Sequence, residues 1–229
     1  MSLAADTLPQ TSIPAAAVAA GRDLLDHPGP LILANVAWGA VALIAWLATS
    51  VAAPLGIVLA VVLAWPAAAV AGVAGRVVRG SDLSLGTALR WPIRRPAVAV
   101  LGALAVMCAV VLIVNIQGAL GRGDMLGVAF ATVAAWGLVA LGVVASVAWP
   151  LLGDARRAGM GVTETLRLAV AVTLVRTARV VCACLLVWCF LVVSAVLAAA
   201  ILTVSVSIAA LFLARVILPV ADTLLAVPE

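Results

Sequence analysis

The chain alternates between long apolar runs and short polar islands. Apolar residues fill 31–50, 53–75, 97–119 and 126–152, and the stretch from Val180 to Ala214 carries no charge at all. A helix needs about 20 such residues to cross a hydrocarbon layer about 30 Å thick. The first four runs are each suited to one crossing. The uncharged stretch is 35 residues long, about 50 Å as a helix at 1.5 Å per residue, too long for one. It is expected to fold back near Thr203–Ser207, its most polar and β-branched part. No glycine or proline marks that turn, so five spans plus a surface helix is the alternative. The pattern predicts an all-α fold, a polytopic transmembrane helix bundle of about six spans, with residues 31–229 as a single transmembrane domain.

Residues 1–30 read differently. Asp6, Asp23 and Asp26 interrupt them and the start is not basic, so a cleavable leader is not expected. Pro14 is suited to a first helical turn, with Thr11 and Ser12 near the cap, and "HPGP" is a stop. The expectation is a cytoplasmic, juxtamembrane helix to about Asp26, with His27 beside its end.

Composition removes the soluble alternative. Two-thirds of the 229 residues are hydrophobic (67%), only 10% are charged, and mean hydropathy is +1.34. Soluble domains carry about 25% charge. All 13 basic residues are arginine, and the net charge is +4. They cluster in two loops: Arg76, Arg79, Arg90, Arg94 and Arg95 follow the second apolar run, and Arg156, Arg157, Arg167, Arg176 and Arg179 follow the fourth. The other links hold only Arg122, offset by Asp124. Basic loops stay in the cytoplasm, which puts both termini there too. The positive charge is thereby assigned to membrane orientation and anionic lipid, not to nucleic acid. Trp91, beside Arg90 and Arg94, is suited to the headgroup layer.

Within the second run, Ala67, Ala71 and Gly75 recur every four residues, as do Ala68 and Gly72. Such stripes let helix backbones approach closely in lipid; a substrate-lining groove is the alternative. Pro66 lacks an N–H and should bend this span by freeing the Val62 carbonyl. Trp65-Pro66 returns as Trp149-Pro150, and "LSLGTALR" (83–90) parallels "MGVTETLR" (160–167). Read together, they suggest a parallel internal repeat with a seven-residue insertion.

Candidate chemistry is sparse. The sequence has one histidine, four cysteines without CxxC spacing, and no HExxH, P-loop or GxSxG motif. Neither a catalytic set nor a metal or cofactor site is predicted. The in-span polar residues are the candidates. Arg215 lies about ten residues from the inner end of a span read as Val204–Leu225, roughly 15 Å deep, where a charge normally faces a partner or a cavity. Pro219 frees its carbonyl, and Asp222 is two turns on along the same face, so "RVILPVAD" reads as one polar, bent seam. Asn35, Asn115 and Gln117 either line a polar path or make interhelical hydrogen bonds.

"PAAAVAGVAGRVVRGSDLS" resembles the hallmark of the YesL-like family of bacterial membrane proteins. Pro66, Arg76, Val78, Arg79, Gly80, Asp82 and Ser84 match its pattern, with Trp65 where the family carries glycine. "LILANVAW" (31–38), with Asn35 and Trp38, resembles its first span, and "WPLLGDARR" (149–157) its later Pro-Leu-Leu motif. The resemblance implies a multi-pass protein of the bacterial inner (cytoplasmic) membrane, found alongside carbohydrate ABC-transporter systems. It implies no catalytic residues. The leading expectation is an accessory or regulatory subunit that meets an ABC-transporter permease or sensor protein through its helix faces. The alternative is a small solute transporter or channel acting as a homo-oligomer, with a path near Asn35, Asn115 and Arg215.

Overall fold

Ser12 opens the first helix: its Oγ accepts from Ala15 N, and Pro14 sits in the first turn. The computed structural model describes residues 8–81, 95–196 and 204–226. In them, α1 is Ile13–Asp26, α2 Pro28–Val51, α3 Ala53–Val62, α4 Ala64–Val78, α5 Pro96–Gly121, α6 Met125–Gly153, α7 Val162–Val175, α8 Thr177–Val196 and α9 Val206–Ala226. A short 3-10 turn, Ala155–Arg157, follows α6. No strand occurs among the described residues. Arg90, Trp91, Arg94, Asp82, Ser84, Thr203 and the 83–90 half of the expected repeat lie outside them.

Six segments are long and apolar enough to cross a membrane: Pro28–Ala45, Pro54–Val78, Ala97–Gly121, Met125–Gly153, Thr177–Ser194 and Val206–Leu225. The chain is thus an all-α, multi-pass bundle. The long uncharged stretch divides between α8 and α9, which resolves the five- or six-span alternative in favour of six. The second span is two helices, α3 and α4, broken at Leu63. The break follows from Pro66, which cannot donate to the Val62 carbonyl, and α4 restarts just before it.

α4 sits at the centre, packed against α2, α6 and α9. Most of it is buried, including Ala68, Ala71, Gly72 and Gly75. The small residues are a packing face. A Cβ on Gly153 of α6 would lie 2.5 Å from the Ala71 carbonyl carbon and oxygen and 2.7 Å from Gly72 N. Backbone there touches backbone, which only glycine allows. α5 makes a similar approach, since a Cβ on Gly102 would meet Ala64 Cβ at 2.3 Å. Trp188 of α8 lies over Gly142 of α6 and donates from Nε1 to Ser146 Oγ at 3.2 Å.

Residues 8–30, in the segment expected at the cytoplasmic surface, pack with the bundle. Ala16 and Ala20 are fully buried in its main core, and α1 packs along α9. Asp23 meets Arg215, and eight residues on, Leu31 meets Ser207, eight residues back. This matched register means that α1 and the first turns of α2 run antiparallel to α9. Arg179, at the start of α8, donates to the Thr11 carbonyl and ties down the beginning of α1. α1 therefore begins, and α9 ends, at the end of the bundle where α4 and α6 finish.

Candidate functional site: an arginine–aspartate lock at one end of the bundle

Three helix ends place the site. α4 stops at Arg79 because Gly80 follows with φ 62°. Gly80 N then bonds the Val77 carbonyl and Ser81 N the Arg76 carbonyl, each at 3.0 Å, a Schellman turn that requires glycine at the left-handed position. α6 stops at Gly153, and Asp154 Oδ1 caps the following 3-10 turn by accepting from Arg156 N. The Gly153–Ala71 approach brings these two ends together. The last turn of α9 supplies Asp222.

Arg79 donates from Nε (2.8 Å) and Nη2 (2.6 Å) to the two oxygens of Asp154, a bidentate pair. Its outer nitrogens reach Asp222 at 3.2 and 3.0 Å. Arg157 bonds the same two carboxylates, Asp154 through Nη1 and Asp222 through Nη2 at 2.6 Å. Each arginine bridges both aspartates. The four side chains are 0–9% exposed. A fifth buried charge joins them: Arg95, just before α5, donates to the carbonyls of Leu152 and Arg157, the latter at 2.7 Å. Parts of four spans are thereby tied at one end, by three guanidinium groups and two carboxylates.

Burial acts differently on the arginines. For Arg79, desolvation would lower the pKa, but its hydrogen bonds to Asp154 and Asp222, with their negative charge, outweigh it and the pKa is raised. For Arg95, desolvation prevails over the field of Asp154, and the pKa is lowered. At the opposite end, Asp124 is held below the usual carboxylate range by its hydrogen bond with Arg122 and by the Gly127 N–H. That exposed pair caps the α5–α6 turn.

Arg79 and Asp222 thus meet within the lock. Arg76 lies partly buried one turn before Arg79, and Pro66 lies at the start of α4. The expected Arg215–Asp222 seam does not form. Arg215 is paired instead with Asp23, through two contacts of 2.6 Å. Two turns of helix separate the pair from the lock, and each residue found an opposite charge on another element. Asn35 is fully buried and accepts from Ser207 N at 3.1 Å, so it caps the start of α9 across the bundle, while Ser207 Oγ bonds the Leu31 carbonyl. Asn115 and Gln117 are exposed near the other end of α5. The three residues expected along one polar path occupy three separate places.

Asp154, Arg157 and Arg95 escaped the sequence reading as site residues because arginines next to spans were counted as orientation signals. The available signal was Asp154 itself, a carboxylate directly at the end of an apolar run and three residues before an arginine. No family model, curated protein or solved structure matches this chain.

Proposed function

We propose that this chain is a non-catalytic, multi-pass subunit of the bacterial inner membrane that assists or regulates a partner membrane complex. Its lock faces the cytoplasm, as do both termini. The observation that carries the proposal is the lock together with the dispersal of the candidate path residues. Asn35, Asn115 and Arg215 line no common route, and the charges of the lock are spent on holding α4, α6, α9 and the start of α5 to one another. A scaffold braced in this way suits a protein that presents fixed helix faces to a neighbour. α5 and α6 carry such faces, with Met107, Val111, Val114, Phe130, Val133 and Trp136 exposed. The stretch around Pro66–Gly80 and the motif at 149–157 support the YesL-like assignment, and through it a carbohydrate ABC-transporter system as the partner.

The test is purification of the tagged full chain in mild detergent, with the co-purifying subunits identified by mass spectrometry and the isolated protein assayed in liposomes. The proposal expects a permease subunit of a carbohydrate ABC system in near-stoichiometric amount and no solute flux from the chain alone. A partner-free homo-oligomer that moves solute would replace it with the transporter reading.

A further inference from the structure

The Arg215–Asp23 pair lies in a seam that also holds an apolar crevice. The crevice has a volume of about 230 Å³ and runs between α1, α8 and α9, walled by Ala17, Ala20, Leu186, Phe190, Ile208 and Phe212 among others. Its lining is almost entirely apolar, and Leu186 and Phe190 are 49% and 39% exposed, so it opens on the lipid-facing side of the bundle. Arg215 and Asp23 do not line it, but each lies about one helical turn from a wall residue, Phe212 and Ala20 respectively. Ile208, Phe212 and Arg215 follow i, i+4, i+7 on α9, and Ala20 and Asp23 follow i, i+3 on α1. Because the helices are antiparallel, Ala17 and Ala20 lie to one side of the pair along the seam, and Ile208 and Phe212 to the other.

We infer that this seam is a binding site for a long-chain carboxylate, with Asp23 as an internal competitor for Arg215. Three observations meet there. Arg215 already holds a carboxylate in a two-point clamp, Nε and Nη2 to the two oxygens of Asp23. An apolar crevice of about 230 Å³, one helical turn from the clamp on both α1 and α9, offers a place for an unbranched chain. The competing carboxylate sits on α1, which is held by Ala16 and Ala20 in the main core, by Ile13 and Leu24 packed against it, by this ion pair, and by the bond from Arg179 to the Thr11 carbonyl. The clamp is also less buried than the lock, with Arg215 26% and Asp23 14% exposed, so a ligand arriving from the bilayer reaches it without dismantling the lock. The carboxylate of the ligand takes the place of Asp23, its chain lies between α8 and α9, and α1 is released at its Asp23 end. The site is independent of which partner the protein serves.

The test uses the full chain in phosphatidylcholine nanodiscs and a hexadecanoic acid carrying a photoactivatable diazirine on its chain. Cross-linked residues are mapped by mass spectrometry. Adducts are expected on the walls of α8 and α9, suppressed by unlabelled hexadecanoic acid and not by hexadecanol. Asp23→Asn removes a competitor tethered at roughly millimolar effective concentration and should raise the yield about tenfold. Arg215→Gln should remove the preference for acid over alcohol. Leu186→Trp fills the crevice and leaves the ion pair intact, and should lower the yield in the Asp23→Asn background. The inference is overturned by a yield unchanged in Asp23→Asn, by hexadecanol competing as well as the acid, or by phosphatidylglycerol competing as well as the acid, which would make the site a general one for anionic lipid.

Discussion

Asp154 is the residue on which the lock turns. It is fully buried and accepts from Arg79, Arg157 and the Arg156 N–H. Removing one partner of a buried ion pair leaves an unbalanced charge and typically costs about 3–5 kcal/mol. Asp154→Ala should therefore lower the unfolding temperature in detergent far more than Asp23→Ala, whose partner is partly exposed. Arg157→Lys is expected to destabilise as well, although charge is conserved. The guanidinium uses Nη1 and Nη2 to hold two different carboxylates, and a single ammonium lacks that fork. A thermal-shift series on these three variants checks the order. At this scale the sequence was only partly legible. Arg79 and Asp222 stood out because one lies in a motif and the other in a span. Their partnership, across 143 positions, had no local signal. Asp222 was assigned to Arg215 because helical periodicity sees only its own helix.

Elements were far more legible, because apolar run length directly measures a membrane crossing. Every expected span has its counterpart, and the division of the 180–214 stretch follows from length alone. The small-residue stripe was also readable as a packing face, though not the element it would meet. That partner is now specific, and so is the cost of disturbing it. Gly153→Ala drives a methyl into the Ala71 carbonyl, where only backbone can yield. Overpacking of this kind costs about 1–3 kcal/mol. Gly75→Ala places its methyl 3.5 Å from the Gly153 carbonyl oxygen, an ordinary contact. Gly153→Ala should thus be clearly less stable than Gly75→Ala when both are melted in detergent, and it should weaken the Arg79–Asp154 pair that the approach sets up. Equal melting temperatures would refute the close approach. α1 was the element read least well. Its length and capping were visible, but a fourteen-residue helix with charges looks like a surface helix. Its packing along α9 includes the pair of Asp23 with Arg215, a partner from a distant part of the chain.

For the molecule as a whole, charge position is the organising fact. The lock, the start of α1 and the end of α9 gather at one end, and the Arg122–Asp124 turn stands at the other. Sequence arithmetic saw the same division as two basic loops and three nearly neutral links. It could not see that Arg79, Arg95 and Arg157 turn inward, because a count of positive charges does not separate arginines that face lipid headgroups from those that bind carbonyls and carboxylates. The proposed subunit, with its lock in the cytoplasm, rests on that end being inside. The most direct measurement is impermeant maleimide labelling of intact cells, with the four native cysteines replaced and single cysteines placed at Ser81, Ala158 and Met125. The account predicts that position 125 reacts from outside while 81 and 158 react only after the membrane is permeabilised; labelling of 81 or 158 in intact cells would contradict it.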